Sequence, residues 1–298
     1  NSQIIKKTLK INKEIPFQGV SINSKNLKDK SLFVAIKGQN KDGHNFSEEA
    51  IKRGASFCIV SKNFKNSKKF IKVKNTLSFL NNLSKKNRYF SSAKFIAVTG
   101  SAGKTTLKTM LGDLLQKYSS TFFSPKSYNN KFGVPLSLFN LNSKDDFGVF
   151  EVGMDKKGEI DTLTKIIKPE VGVITNISYA HAKNFDNLEQ IADAKSEIIN
   201  NIKDKGSIVL NLDDKFFNKH KKIAFNRGLR IYSFSISKNN SNVYINKITK
   251  FKNKFKIEEI INKKRKFFFT NTTSESYLKN MLAALTIISV FRDTNILK

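Results

Sequence analysis

The residues of this chain best suited to chemistry lie in one short run, Gly100-Ser-Ala-Gly-Lys-Thr105. Its glycines and small residues let the backbone approach a ligand, Lys104 supplies a point charge for outer phosphates, and the Thr105 hydroxyl is a magnesium ligand by type. An eight-residue phosphate loop would carry glycine at 97, where Ala97 stands, so the match is to the shorter Gly-x-x-Gly-Lys-Thr form. Glu151 ends an apolar run and could hold magnesium together with Thr105 and nucleotide oxygens. His181, in Ala180-His-Ala182, could be a second metal ligand. Taken singly, a strand-end glutamate and a loop histidine are more often solvated, a helical lysine such as Lys195 almost always is, and Asn280 is unremarkable.

The flanking residues say what must position this run. Ile96-Ala-Val98 reads as a buried strand, and from Lys104 the period changes, with Leu107, Met110, Leu111, Leu114 and Leu115 on one helical face. A strand, a glycine turn and a helix start aim backbone N–H groups and the positive end of a helix dipole at one point, which suits phosphate. Asp146–Val152, Val171–Ile177 and Ser207–Asn211 read as further parallel strands, and Leu188–Ile202 as a helix. Ligands of open parallel sheets bind beyond the carboxyl ends of strands, where Gly100–Thr105, Glu151 and His181 all fall. From about Arg230 the pattern turns to short antiparallel strands, and Tyr277–Val290 returns to a helix.

Residues 1–84 are expected to form a small α/β domain, with strands at Ser31–Ile36, Ala55–Val60 and Ile71–Val73 and helices over Phe46–Gly54 and about 76–88. Residues 85–298 are expected to form a second domain, a mostly parallel sheet with helices on both faces and a small antiparallel extension. The 298 residues suffice for two such cores. The formal charge is +30, but the excess is lysine spread along the whole chain, as an AT-rich coding sequence would give, and arginine is scarce. A dedicated nucleic-acid reader is therefore disfavoured, and attraction of anionic nucleotides is the simpler consequence. No apolar run reaches membrane-spanning length and no signal peptide opens the chain, so a cytosolic protein is expected. The single cysteine, Cys58, sits in an apolar run and reads as a buried structural thiol.

Several short motifs fall in one order. They are Thr99–Thr106, Asn129-Asn130 with Gly133-Val-Pro-Leu136, Glu151-Val-Gly153 with Gly158-Glu-Ile160, Thr175-Asn176, Ala180-His181, Ala194-Lys195 with Glu197-Ile198, and Asn280-Met-Leu-Ala-Ala284. In order and spacing the chain resembles the Mur ligases, and within them the branch that joins D-alanyl-D-alanine to a UDP-N-acetylmuramoyl tripeptide. Ser24, Leu32–Gly38 and Asp42-Gly-His44 resemble that family's uridine-nucleotide-binding domain. The resemblance implies an ATP-dependent amide ligase of peptidoglycan precursor synthesis, using two magnesium ions and an acyl-phosphate intermediate, monomeric and without membrane insertion. It implies ATP contacts at Gly100, Ser101, Ala102, Gly103, Lys104, Thr105, Thr106 and Asn280, the last near adenine, and substrate contacts at Ser24, Asn129 and Asn130. It further implies metal ligation by Thr105 and Glu151, then by His181, and by Lys195 as a carbamate, with Lys104, Lys195 and His181 catalytic.

Departures from the family pattern lie at Asn23-Ser24-Lys25, where Asp-Ser-Arg is usual, at Lys183, and at Ser274–Tyr277, where a Gly-x-His element is usual. The family's third, C-terminal domain could begin only at Arg292–Lys298, so the chain is expected to be a ligase lacking it, binding its UDP-linked substrate but ligating little. The alternatives are a ligase adding a diamino acid, or a non-catalytic nucleotide- or polyanion-binding derivative.

Overall fold

The structure is a computed structural model that describes residues 16–64, 68–179 and 184–293. Two compact units emerge, one from residues up to Ser92 with Phe132–Ser143, the other from Ala93–Lys131 with residues from Lys144 onward.

The first unit holds a four-stranded parallel sheet in sequence order, β1 (Val20–Ser21), β2 (Leu32–Val34), β3 (Phe57–Val60) and β4 (Phe70–Lys72). Phe33, Ala35, Ala50, Ala55, Cys58 and Val60 form its core. Cys58 is fully buried there, and burial pushes its thiol up to about 12, as befits a structural residue. The helix expected over Phe46–Gly54 is α1 (Ser47–Lys52), entered through a 3₁₀ turn at Gly43–Phe46 whose Asp42 side chain caps the His44 N–H. Helix α2 (Thr76–Phe90) starts at Asn75, whose side chain accepts from the Ser78 N–H. The boundary expected at 84/85 falls inside α2, where the buried Ser84 and Asn87 donate to carbonyls of Pro135, Leu138 and Leu141. Those acceptors belong to α4 (Gly133–Asn140) and its C-cap, after α3 (Lys104–Gln116) of the second unit. Pro135 sits in the first turn of α4, where its missing N–H costs nothing. No helix was expected here, because an eight-residue segment that is buried almost throughout shows no amphipathic period.

The second unit is a nine-stranded sheet in the order β13-β12-β11-β10-β9-β8-β5-β7-β6. Strands β5 (Lys94–Thr99), β6 (Thr121–Phe123), β7 (Phe147–Glu151), β8 (Val171–Ile174), β9 (Ser207–Asn211) and β10 (Arg230–Ser235) are parallel. The inner strands β5, β7, β8 and β9 are buried almost throughout because helices cover both faces. On one face, Ile96, Val98, Val149 and Val173 meet Leu107, Leu111 and Leu115 of α3 and Leu282, Ala283 and Ile287 of α8 (Glu275–Asp293). The other helices are α5 (Glu159–Ile167), α6 (Leu188–Asn200) and α7 (Phe217–Asn226). The antiparallel extension is β11 (Val243–Phe251), β12 (Lys254–Ile261) and β13 (Lys264–Thr270), with β11 joined in parallel to β10. The α/β class with a mostly parallel sheet and an antiparallel extension is thus as expected. Among the described residues no helix is long and apolar enough to cross a membrane.

Candidate active site

Strand β5 is central, between β8 and β7, so the loop after it opens where three parallel strands end together. Gly100 (φ +145°) and Gly103 (φ +80°) take conformations that L side chains rarely adopt. Gly100 also lies so close to Thr175 that a Cβ there would sit 1.9 Å from the threonine Oγ1. Gly103 is the N-cap of α3 and no side chain caps it, leaving the first N–H groups of the helix pointed at the loop mouth. The segment after β8 braces the loop. The Ser101 and Ala102 N–H groups donate to the Asn176 carbonyl and side-chain oxygen, each at 2.9 Å. Thr175 Oγ1 donates to the Ala102 carbonyl at 2.7 Å, and Ser101 Oγ donates to the Ser178 carbonyl at 2.9 Å.

Two lysines meet at one carbonyl. Lys104 Nζ donates to the Gly100 oxygen at 2.9 Å, and Lys195 Nζ, from α6, donates to the same oxygen at 3.0 Å. Lys195 is only 2% exposed. Burial first, and then the charge of Lys104, push its ammonium down from 10.5 to about 7, so near neutral pH much of it is the free amine. Burial also lowers Lys104, which nearby Glu151 partly offsets. Lys195 lies on the apolar face of α6 with Ile191 and Ile198, so the general tendency of helical lysines to be solvated does not hold there, and the loop, not solvent, faces that turn.

Glu151 is buried at the end of β7 with both oxygens engaged. Oε2 accepts from Thr105 Oγ1 at 2.7 Å and Oε1 from Asn129 Nδ2 at 2.7 Å, while Ser127 Oγ lies 3.3 Å from Thr105 Oγ1. Two hydroxyls and one carboxylate are hard oxygens, the donor type magnesium takes with one or two carboxylates plus phosphate and water oxygens. Among the described residues no three His, Cys, Asp or Glu side chains gather to hold a metal by themselves. An ion bound at Thr105 and Glu151 would therefore complete its shell from a phosphate ligand and water. The residues present fit such an ion.

Asn280, on α8, is buried with its Oδ1 2.7 Å from where a Gly103 Cβ would stand, so it lies against the loop. Asn129 is tied to Glu151, and Asn130 is exposed at the adjoining bend. Thr106 follows Thr105 in the first turn of α3. Ser24 lies in the other unit, in a 3₁₀ turn, with Oγ donating to Glu49 Oε2 at 3.2 Å. His181, Ala180 and Lys183 lie outside the described residues.

Sequence reasoning missed Lys108. It is buried one turn after Lys104, donates to the Lys126 carbonyl and feels the charge of Glu151, while burial lowers its pKa. Its spacing of four from Lys104, between Leu107 and Leu111 on the buried face, was the available signal. Glu197 was seen only as part of a motif. Its two oxygens accept from the Gly158 and Asp161 N–H groups at 2.7 and 3.0 Å and so cap α5.

Two family models match the chain, that of the Mur ligase middle domain over residues 98–288 and that of the Mur ligase family catalytic domain over residues 16–88. The chain belongs to the Mur ligase family. Similar relatives of this Mur ligase include a UDP-N-acetylmuramoyl-tripeptide–D-alanyl-D-alanine ligase of Rickettsia prowazekii, 39% identical over 77% of the chain and 51% of the relative. The Escherichia coli protein of the same name is 30% identical over 76% of the chain and 50% of the relative. The chain thus spans about half the length of these curated relatives. Among solved structures, MurF from Acinetobacter baumannii superposes with a TM-score of 0.85 at 27% identity, covering 98% of this chain and 65% of that one. MurF ligase from Thermotoga maritima in complex with ADP gives 0.80 at 28% identity, covering 95% and 64%.

Proposed function

We propose that the second unit binds Mg-ATP and the first a UDP-linked muramoyl peptide, as parts of an ATP-dependent amide ligase that joins D-alanyl-D-alanine to a UDP-N-acetylmuramoyl tripeptide. The observation that carries the proposal is the convergence of Lys104, Lys195 and the uncapped start of α3 on the loop at Gly100–Gly103, with Thr105 hydrogen-bonded to Glu151 beside it. The names of the similar proteins, among them one with ADP bound, support the same reading.

In this reading the terminal carboxylate of the tripeptide attacks the γ-phosphorus of ATP, a P–O bond to ADP breaks, and an acyl phosphate forms. The amine of D-alanyl-D-alanine then attacks the acyl carbon, phosphate leaves, and the amine loses a proton. Several anions must come together, so catalysis is chiefly positioning and charge stabilisation. Lys104 and the N–H groups of α3 hold the outer phosphates. Thr105 and Glu151 would hold magnesium, which would supply positive charge to neutralise the phosphates. Lys195, kept largely neutral by burial, can add CO2. An N–C bond forms, a proton leaves, and the amine becomes a carbamate anion that would hold a second ion, for which the family resemblance assigns His181 as a further ligand. By the family resemblance Asn280 is assigned to the adenine, Ser24 to the uridine moiety, and Asn129 and Asn130 to the substrate.

Calorimetry of Mg-ATP binding tests the first part. Saturable, magnesium-dependent binding that falls at least about tenfold in Lys104→Ala is expected, and its absence overturns the nucleotide assignment. Amide formation from a UDP-muramoyl tripeptide with D-alanyl-D-alanine, and not with lysine or diaminopimelate, tests the second. Preference for a diamino acid would move the chain to the other branch of the family.

A further inference from the structure

The antiparallel extension carries a surface that the proposed ligase chemistry does not use. Phe251, Phe267 and Phe269 are 51%, 59% and 46% exposed, and they gather on one face of the β11–β13 sheet. The register explains the gathering. Phe267 lies opposite Glu258, which lies opposite Lys247; Phe269 lies opposite Lys256, which lies opposite Thr249; Lys254 lies opposite Phe251. Period-two alternation puts all of these on the same side, while Ile257 points to the buried side. The Phe251–Phe269 and Phe267–Phe269 ring centroids are 5.5 and 5.8 Å apart, so the rings form one apolar cluster. Lys247, Lys254, Lys256 and Arg265 surround it. The acid on this face, Glu258, is occupied by Asn246 at 2.5 Å and Arg265 at 3.5 Å.

We propose that this face docks peripherally on an anionic lipid bilayer, the phenylalanines entering the headgroup–acyl boundary and the lysines and Arg265 meeting anionic headgroups. An apolar cluster ringed by cations complements that surface in both chemistry and charge. Self-association through this face would set its cations against one another. Nucleobases stack on open ring faces, but Lys256 Nζ lies 4.5 Å over the Phe267 ring, and Phe267 and Phe269 meet at 80°, edge to face. Lys256 thus covers one face of Phe267, and the two rings do not lie parallel as a stacking platform would require.

The chain has no tryptophan, so a single introduced indole reports its own surroundings. Phe267→Trp is expected to shift its emission to the blue and gain intensity on mixing with vesicles of phosphatidylglycerol and phosphatidylcholine. Phe225→Trp, at a more exposed position on α7 with Lys221 and Lys222 beside it, is expected not to shift. Vesicles of phosphatidylcholine alone leave both unchanged. In sedimentation with the mixed vesicles, Phe267→Thr/Phe269→Thr is expected to weaken binding about tenfold. Lys221→Gln/Lys222→Gln, which removes the same number of surface residues elsewhere, is expected to leave it within about twofold. The proposal is overturned if no variant binds vesicles. It is likewise overturned if Lys221→Gln/Lys222→Gln weakens binding at least as much as Phe267→Thr/Phe269→Thr, which would show that the phenylalanine face is not the docking site, or if a single-stranded oligonucleotide binds through this face while vesicles do not.

Discussion

Replacing Gly100 by alanine tests the claim that the loop is set by its packing on Thr175. The new Cβ would lie 1.9 Å from Thr175 Oγ1, 3.0 Å from its Cβ and 3.1 Å from its backbone nitrogen. An ordinary contact begins near 3.4 Å, so the loop must retreat by about 1.5 Å or Thr175 must turn away. Either movement breaks the Thr175 bond to the Ala102 carbonyl, worth about 1 kcal/mol. Alanine at φ +145° adds backbone strain of about 1–3 kcal/mol. Together these predict Mg-ATP binding weakened by roughly 30- to 1,000-fold, at about 1.4 kcal/mol per tenfold.

The two contributions separate in a double-mutant cycle. Thr175→Ala alone removes the hydroxyl and costs the bond. In that background Gly100→Ala meets only the 3.0 and 3.1 Å contacts, which small shifts relieve, and no bond remains to break, so it should cost about fivefold less than in the wild type, the backbone strain being common to both. Calorimetric affinities of the four proteins, with denaturant midpoints to confirm folding, give the coupling directly. Equal effects of Gly100→Ala in both backgrounds would refute the steric argument, and an unchanged affinity in the single variant would refute the placement of the nucleotide itself.

Lys195→Met should stabilise the fold in buffer freed of CO2. The folded-state pKa of about 7 lies below 10.5, so the unfolded chain binds more protons between those values and wild-type stability rises with pH across that window. The variant should lack this slope, gaining at most about 5 kcal/mol at pH 7 and below and nothing near pH 10.5, as read from urea midpoints; parallel profiles would refute it. Lys108→Met should weaken Mg-ATP binding about tenfold, because the segment at Lys126 loses its donor and the anionic nucleotide loses a nearby cation; unchanged affinity counts against it. Glu197→Ala should cost about 1–2 kcal/mol in chemical denaturation by uncapping α5, and Glu197→Gln less. An alanine variant as stable as the glutamine one would show that the cap contributes nothing.

Much of the fold was legible because its signals are local. The apolar run before Gly100, the helical period after it and the strand at Val171–Ile174 each repeat within a few residues. The strand β6 and the helices α4 and α7 were not legible. The first is three residues long, the second is buried almost throughout, and the third buries only His220 and Ala224. In the site, the loop and Thr105 could be read from residue type and spacing. The burial of Lys195 was signalled by its place on the apolar face between Ile191 and Ile198, but what it meets could not be read, because its partner, the Gly100 carbonyl, lies far away in sequence.

The sequence by itself determined the phosphate-type loop, since Gly100 and Gly103 are needed by backbone conformations that depend on few neighbours. It also determined the α/β alternation, through periods of two and 3.6. Only the tertiary structure decided that Lys195 meets the Gly100 carbonyl across 95 positions, that Thr175 and Asn176 brace the loop, and that Glu151 receives both Thr105 and Asn129. Those meetings follow from strand order. With β5 between β7 and β8, the ends of three strands distant in sequence become neighbours, and that order is set by the packing of the whole sheet, which no single stretch encodes.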